Sequence, residues 1–278
     1  MNETPPPASK SSGGIRRCLG IVAAFHWEVR PLLQLAARRE VRSSQTNARR
    51  PNVTRLDSNH YAFTLNCGPV LLVVAGAGAD SSFRAAQLLA EKYYLRGLAT
   101  IGFAGGLLPG LTAGDIIQSE RVLDACNGEQ FECQPGILPV RFNHSGSLLS
   151  VKEVVTTSTR KLHLGRKWGA AAVDMESAGV ARAAAQAGLP FCAVKSITDP
   201  AEQSLSIDFN RCRRDDKGFS VWAIARQGMS SPRGVMDLWR LAGSSRRAAA
   251  TLASAIAAAG NSAPHTDCRE DVSVIECR

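Results

Sequence analysis

The stretch AAAVDMESAGVARAAAQAGLPFCAVKSITD, residues 170–199, decides the fold. It opens on Ala170–Val173, a short apolar run. MESAGVARAAAQAG (175–188) follows with small apolar residues at helical spacing, and Gly188 can end that helix. PFCAVKSITD (190–199) then reads as a buried strand that finishes on an acid. A near-continuous apolar strand is covered on both faces. Strand, helix and strand in that order therefore predict a largely parallel sheet inside an α/β domain.

The pattern repeats toward the N-terminus. CLGIVAAF (18–25) reads as a buried strand, and LATIGFAGG (98–106) as a strand running into a glycine loop. HYAFTLN (60–66) and PVLLVVAG (69–76) form a predicted hairpin with Cys67 and Gly68 at its turn. SSFRAAQLLAEKYY (81–94) is an amphipathic helix, and GDIIQSERVLDA (114–125) is strand-like. Residues 126–148 carry only a weak strand signal, near ILPVRF (137–142). The expected architecture is a three-layer α/β/α domain over residues 17–260 with a central mixed, largely parallel sheet. Residues 1–16 read as a polar leader and 261–278 as a polar tail.

The chain has 278 residues, 45% of them apolar and 21% charged, as expected for one globular core. No apolar run is long enough to span a bilayer, and the leader lacks the apolar stretch of a signal peptide. The cytoplasm is the expected compartment. The eight cysteines include no C-x-x-C pair and no zinc spacing, so they read as reduced, half-buried thiols. The net charge of +9 is spread along the chain and aromatics are only 6%, which argues against a nucleic-acid binder.

Four features stand at strand ends or helix starts, the edge where α/β sheets bind ligands. Glu28 lies in F-H-W-E-V after the first strand and is either a general base of raised pKa or a first-turn helix carboxylate. Phe103, Ala104, Gly105 and Gly106 let backbone approach a ligand, or simply turn the chain. Asp174, Met175 and Glu176 can take sugar hydroxyls and pack on a sugar face, or Asp174 can cap a helix. Ser196, Thr198 and Asp199 close a buried strand before Pro200, where Asp199 is a candidate acid or a turn aspartate.

Taken together and in order, G-I-V-A-A-F-H-W-E-V, G-F-A-G-G-L-L-P-G-L-T-A-G-D, A-V-D-M-E-S-A and V-K-S-I-T-D resemble the purine nucleoside phosphorylase and methylthioadenosine/S-adenosylhomocysteine nucleosidase superfamily over residues 18–200. G-S-L-L-S-V-K-E-V-V-T-T, K-L-H-L-G-R-K-W and the Arg-rich C-terminal segment resemble its hopanoid-associated branch. The resemblance implies cleavage of a purine N-glycosidic bond. Asp199 would protonate N7, oriented by Ser196 or Thr198. Glu176 would bind the ribose hydroxyls, Met175 would pack under the sugar and Glu28 would activate water. Val154 and Val155 would fall in the adenine pocket. The branch implies adenosylhopane as substrate, in hopanoid biosynthesis. No metal or organic cofactor is implied, and inorganic phosphate stays open as co-substrate.

Two departures bear on the nucleophile. Phe103 stands where the nucleosidases carry Ser, and uncharged Thr100 stands near the place of a phosphorylase arginine. A phosphate dianion wants Arg or a helix N-terminus, so water is the favoured nucleophile. The alternatives are phosphorolysis or hydrolysis of a small soluble nucleoside, and a non-catalytic nucleoside- or lipid-binding protein. In residues 219–260, Val235, Leu238, Trp239 and Ala242 recur at helical spacing among Arg233, Arg240, Arg246 and Arg247. This segment reads as a pair of helices, packed on the sheet or meeting a lipidic substituent and an anionic membrane face. A homodimer is the expected oligomer.

Overall fold

The computed structural model describes residues 17–38, 40–42, 49–205, 207–212, 226–227, 229 and 232–259. The leader, the tail and part of the segment after Asp199 lie outside these. In chain order the elements are β1 (Cys18–Ala23), α1 (His26–Ala37), β2 (Glu40–Arg42), β3 (Arg49–Pro51), β4 (Val53–Arg55), β5 (His60–Leu65), β6 (Gly68–Val74), α2 (Ala79–Lys92) and β7 (Leu95–Gly106). They continue with β8 (Ile116–Asp124), β9 (Gln130–Glu132), β10 (His144–Ser150), α3 (Ser158–Trp168), β11 (Ala170–Asp174), α4 (Ser177–Gln186), β12 (Phe191–Asp199) and α5 (Pro232–Ala257).

The main sheet runs β11-β10-β8-β12-β7-β1-β6-β5-β4. The pairs β1–β6, β1–β7, β7–β12, β8–β10 and β10–β11 are parallel. The pairs β8–β12 and β5–β6 are antiparallel. Near its end β7 also pairs antiparallel with β11, Gly105 opposite Val173. That pairing closes β7, β12, β8, β10 and β11 into a ring. It draws the end of β7 and the end of β11, far apart in sequence, to one place.

The alternation of β1 and β6 divides the core. Leu19, Ile21 and Ala23 with Val70, Leu72 and Val74 meet Val29 and Leu32 of α1 and Leu252 and Ile256 of α5. Cys18 and Val22 with Leu71 and Val73 meet Ala86 and Leu89 of α2 and Val180 and Ala184 of α4. The sheet is thus covered on both faces, as its apolar strands require. α4 needs a small residue where it meets α2, as Gly179 shows. A Cβ there would lie 2.0 Å from the carbonyl oxygen of Ala79, so the two helices touch backbone to backbone.

One sequence expectation needs correction. ILPVRF (137–142) forms no strand, and Pro135–Ile137 is a single 3-10 turn. Pro139 has no N–H to give a ladder, so Leu138 and Val140 are buried from a loop instead. The strand of this region is β10, whose Gly and Ser residues hide its character in the sequence. Of the predicted pair of C-terminal helices, the second is the 26-residue helix α5; residues 226–227 are also helical, and the rest of the first lies outside the described residues. The C-terminal half of α5 carries the buried residues Ala248, Leu252, Ala253 and Ile256. Val235, Met236 and Trp239 are exposed, Trp239 at 75%. Gly188 follows α4 at φ +63, as expected of a C-terminal glycine.

Candidate active site

Glu28 sits in the first turn of α1 and is 5% exposed. Its Oε2 accepts the backbone N–H groups of Ala24 (3.1 Å) and Phe25 (3.0 Å). Its Oε1 accepts the N–H of Phe103 at 3.2 Å. The first-turn reading of Glu28 holds, since the side chain caps its own helix, and the side chain also points at the β7 backbone. Burial, and next the nearby Glu176 carboxylate, push its pKa up to about 7, against the pull of Lys195 and these N–H donors. A carboxylate poised there is suited to general-base work near neutral pH.

Glu176 follows β11 and is buried. The N–H of Gly78, at the start of α2, donates to its Oε1 at 2.9 Å. The N–H of Met175 donates to its Oε2 at 3.3 Å. Burial and then Asp174 raise its pKa. Asp174 accepts the N–H and the hydroxyl of Ser177, the first residue of α4, but the N-cap position that the plain reading gave it is taken by Glu176. Met175 is buried beside these carboxylates.

The chain places a lysine among them. Lys195, in the middle of β12, is 2% exposed. Its Nζ lies 2.9 Å from Asp174 Oδ2 and donates to Thr100 Oγ1 at 3.2 Å. Burial opposes its charge, but Asp174, Glu176 and Glu28 together push its pKa above the usual lysine value. The sequence shows Lys195 only as one polar residue interrupting an apolar strand, and that interruption is the signal by which it could have been found.

Asp199 ends β12 and is 8% exposed. Its Oδ1 accepts the Thr198 hydroxyl at 2.6 Å, and its Oδ2 is held by Lys161 of α3. Thr198, not Ser196, orients the acid. The Ser196 hydroxyl pairs instead with Thr251 Oγ1 of α5; regular alternation would put Thr198 on that same side, but the register shift between Ile197 and Asp199 breaks it. Burial raises the pKa of Asp199, and Lys161 and Thr198 pull it back. Gly105 passes close by: a Cβ there would sit 3.2 Å from Asp199 Oδ2. Ala104 is buried, and its carbonyl faces the Thr198 hydroxyl at 3.4 Å. Val155 is buried under α3. Val154 gives its N–H to Asn210 Oδ1 (2.9 Å) and takes the Asn210 amide on its carbonyl (3.1 Å).

The geometry thus has two poles. At one, Glu28, Asp174 and Glu176 surround Lys195; at the other, Asp199 is paired with Lys161. Residues 19–142 and 135–217 match the family described as Phosphorylase superfamily. The chain belongs to the phosphorylase superfamily.

Among superfamily relatives, a 5'-methylthioadenosine/S-adenosylhomocysteine nucleosidase of Shewanella sp. is 24% identical over 221 residues, covering 69% of this chain and 88% of the relative. One from Baumannia cicadellinicola is 31% identical over 169 residues, covering 52% of this chain and 74% of the relative. Among solved structures, the Neisseria meningitidis nucleosidase in complex with methylthio-immucillin-A has a TM-score of 0.62 at 16% identity, covering 87% of this chain and 97% of that one. Within the superfamily this chain is an enzyme of N-glycosidic bond cleavage, and the relatives that it resembles are nucleosidases.

Proposed function

We propose that this superfamily member hydrolyses an adenine nucleoside, with water as the nucleophile. Glu28 takes a proton from the water as it attacks C1′. Glu176 receives the ribose 2′ and 3′ hydroxyls, and buried Met175 packs under the ring. Asp199 delivers a proton to N7, so that the base leaves neutral. Phe103, Ala104 and Gly105 line the sugar side through their backbone, and Val154 and Val155 border the base. Acid–base assistance of this kind contributes about 10²–10⁴-fold per group.

The observation that carries the choice of water is the charge of the nucleophile pole. Three buried carboxylates, Glu28, Asp174 and Glu176, face one ammonium, and Lys195 already lies 2.9 Å from Asp174. Such an excess of negative charge favours an oxocarbenium-like sugar and opposes a phosphate dianion. Phosphorolysis of a small soluble nucleoside is the second reading, and the superfamily's name is its support.

For the 5′ substituent we favour a bulky apolar group of the adenosylhopane kind. Phe25 and Trp27 stack at 4.2 Å beside Glu28, and Trp27 is 51% exposed, so an apolar surface stands at that edge of the site. Val235, Met236 and Trp239 are exposed on α5 alongside Arg240, Arg246 and Arg247. That mixture suits an anionic membrane surface. Among the described residues no helix is long and apolar enough to cross a membrane. The working picture is a cytoplasmic homodimer that meets the membrane face.

The deciding assay incubates purified protein with adenosylhopane, methylthioadenosine and adenosine, each with and without phosphate. Adenine and free ribose-type sugar at a rate independent of phosphate support hydrolysis. A sugar 1-phosphate would sink it, and turnover of methylthioadenosine alone would sink the lipid reading. Vesicles containing anionic lipid should bind the protein, and Trp239→Ala with Arg240→Ala should weaken that binding.

A further inference from the structure

Lys161 is the largest charged side chain sealed inside the molecule, at 0% exposure. It sits on the first turn of α3, whose remaining charges (Arg160, His163, Arg166 and Lys167) lie outside the core. A buried ammonium must satisfy three N–H groups or cost several kcal/mol. Lys161 satisfies all three. One goes to Asp199 Oδ2, one to the carbonyl of Pro200 at 3.0 Å and one to the carbonyl of Gln203 at 2.9 Å.

The three acceptors differ in kind. Peptide carbonyls are too weakly basic to take a proton, whereas a carboxylate can. The only proton that Lys161 can give away is therefore the one aimed at Asp199. Once that proton has left, the neutral amine keeps its other two N–H bonds, and nothing around it has to move. The remaining oxygen, Oδ1, is fixed by the Thr198 hydroxyl, so the carboxyl group cannot rotate away.

We propose that Lys161 is a positioning residue and proton reservoir for Asp199, and that the two side chains form one acid unit serving the leaving base. This rests on the reading of Asp199 given above. As the C1′–N9 bond breaks, its electron pair passes to the base. Lys161 passes its proton through the Asp199 carboxylate to N7, leaving Asp199 a carboxylate and Lys161 an amine. The water oxygen bonds to C1′, and one of its protons goes to Glu28. Exchange with solvent then returns a proton to Lys161 and removes one from Glu28.

The groups facing the pair bear on its pH response. Thr198 and Lys161 are what act on Asp199 besides burial. Glu202, on the turn beyond β12, is exposed. Glu28, Asp174, Glu176 and Lys195 form the other pole, and Glu28 shapes the acidic side of the profile.

The test compares wild type, Lys161→Met and Lys161→Arg on an adenine nucleoside that wild type turns over, from pH 6 to pH 10, with folding checked by circular dichroism. Dividing variant by wild-type kcat at each pH removes the contribution of Glu28. For Lys161→Met the ratio should fall by about tenfold per pH unit once Asp199 loses its own proton. Lys161→Arg keeps the positive charge that holds Asp199 but cannot surrender a proton, so its ratio should fall with pH in the same way. A ratio for Lys161→Met that is low but constant with pH would mean that Lys161 only supports the fold, and would overturn the proposal. If Lys161→Met does not fold, Lys161→Arg decides: a ratio that falls as pH rises supports the paired acid, and a ratio constant with pH refutes it. Should wild type release no base from any nucleoside, the reading of the whole site fails, a result separate from these.

Discussion

A Cβ built on Gly102 would lie 3.1 Å from each carboxylate oxygen of Glu28. Gly102 also stands at φ +146, a conformation side chains rarely adopt. The middle of β7 is therefore shaped around the base candidate, and the neighbouring N–H of Phe103 binds it. Gly102→Ala must either strain the strand, at a cost of about 1–3 kcal/mol, or push Glu28 aside. A displacement of that size is expected to lower kcat by about 100-fold while the protein stays folded. Steady-state kinetics beside a thermal melt will show it, and near-normal kcat would detach Glu28 from the chemistry.

Glu28 should carry activity and instability together. Its pKa of about 7 lies above its ordinary 4.5. Between those values the unfolded chain ionises Glu28 while the fold keeps it protonated. The folded state then binds more protons, so stability falls as pH rises through this window. Above pH 7 the loss is complete, on the order of 3 kcal/mol. Glu28→Gln removes the titration. It is expected to raise Tm at pH 8 relative to wild type, to matter little at pH 4, and to abolish base release. Wild-type kcat should rise with pH through about 7 as the base ionises. A Tm difference that does not change with pH would contradict the burial argument.

Much of this was legible in the residues. Apolar strands without alternation announced the covered sheet, and acids at the ends of β1, β11 and β12 announced the site edge. The two lysines were not legible. Lys195 and Lys161 look like ordinary polar residues in a strand and a helix, and nothing local says that both are sealed inside. Their partners lie far off: Lys161 meets Asp199 across 38 residues. The closure of the sheet by the β7–β11 pairing, which gathers the carboxylates, is equally long-range. Near ILPVRF the error was local. Apolar residues were counted, while Pro135 and Pro139 ruled out a ladder.

Lys195 offers a check on the nucleophile pole. It lowers the pKa of Glu28, and it faces Asp174 and Glu176 as well. In Lys195→Met three buried carboxylates remain with no cation among them. The pKa of Glu28 should then climb further, and the acidic limb of the kcat profile should move to higher pH. At pH 7 the rate drops, and raising the pH recovers part of it. A limb that stays in place would show that Lys195 does not act on the base.

Asp199 makes the sharpest contrast with Glu28. Asp199→Asn removes the acid and should cost about 10²–10⁴-fold in kcat. It also leaves the Lys161 ammonium sealed in the core beside a neutral amide, since its other two bonds go to the backbone carbonyls of Pro200 and Gln203. Breaking one side of a buried pair typically costs about 3–5 kcal/mol. Where Glu28→Gln stabilises, Asp199→Asn should therefore lower Tm. The double variant Asp199→Asn with Lys161→Met removes both charges and should recover much of that loss without recovering activity. Denaturation of the four proteins in one buffer gives the coupling directly. If the two single effects simply add, the pair is not energetically joined, and the unit acid has lost its physical basis.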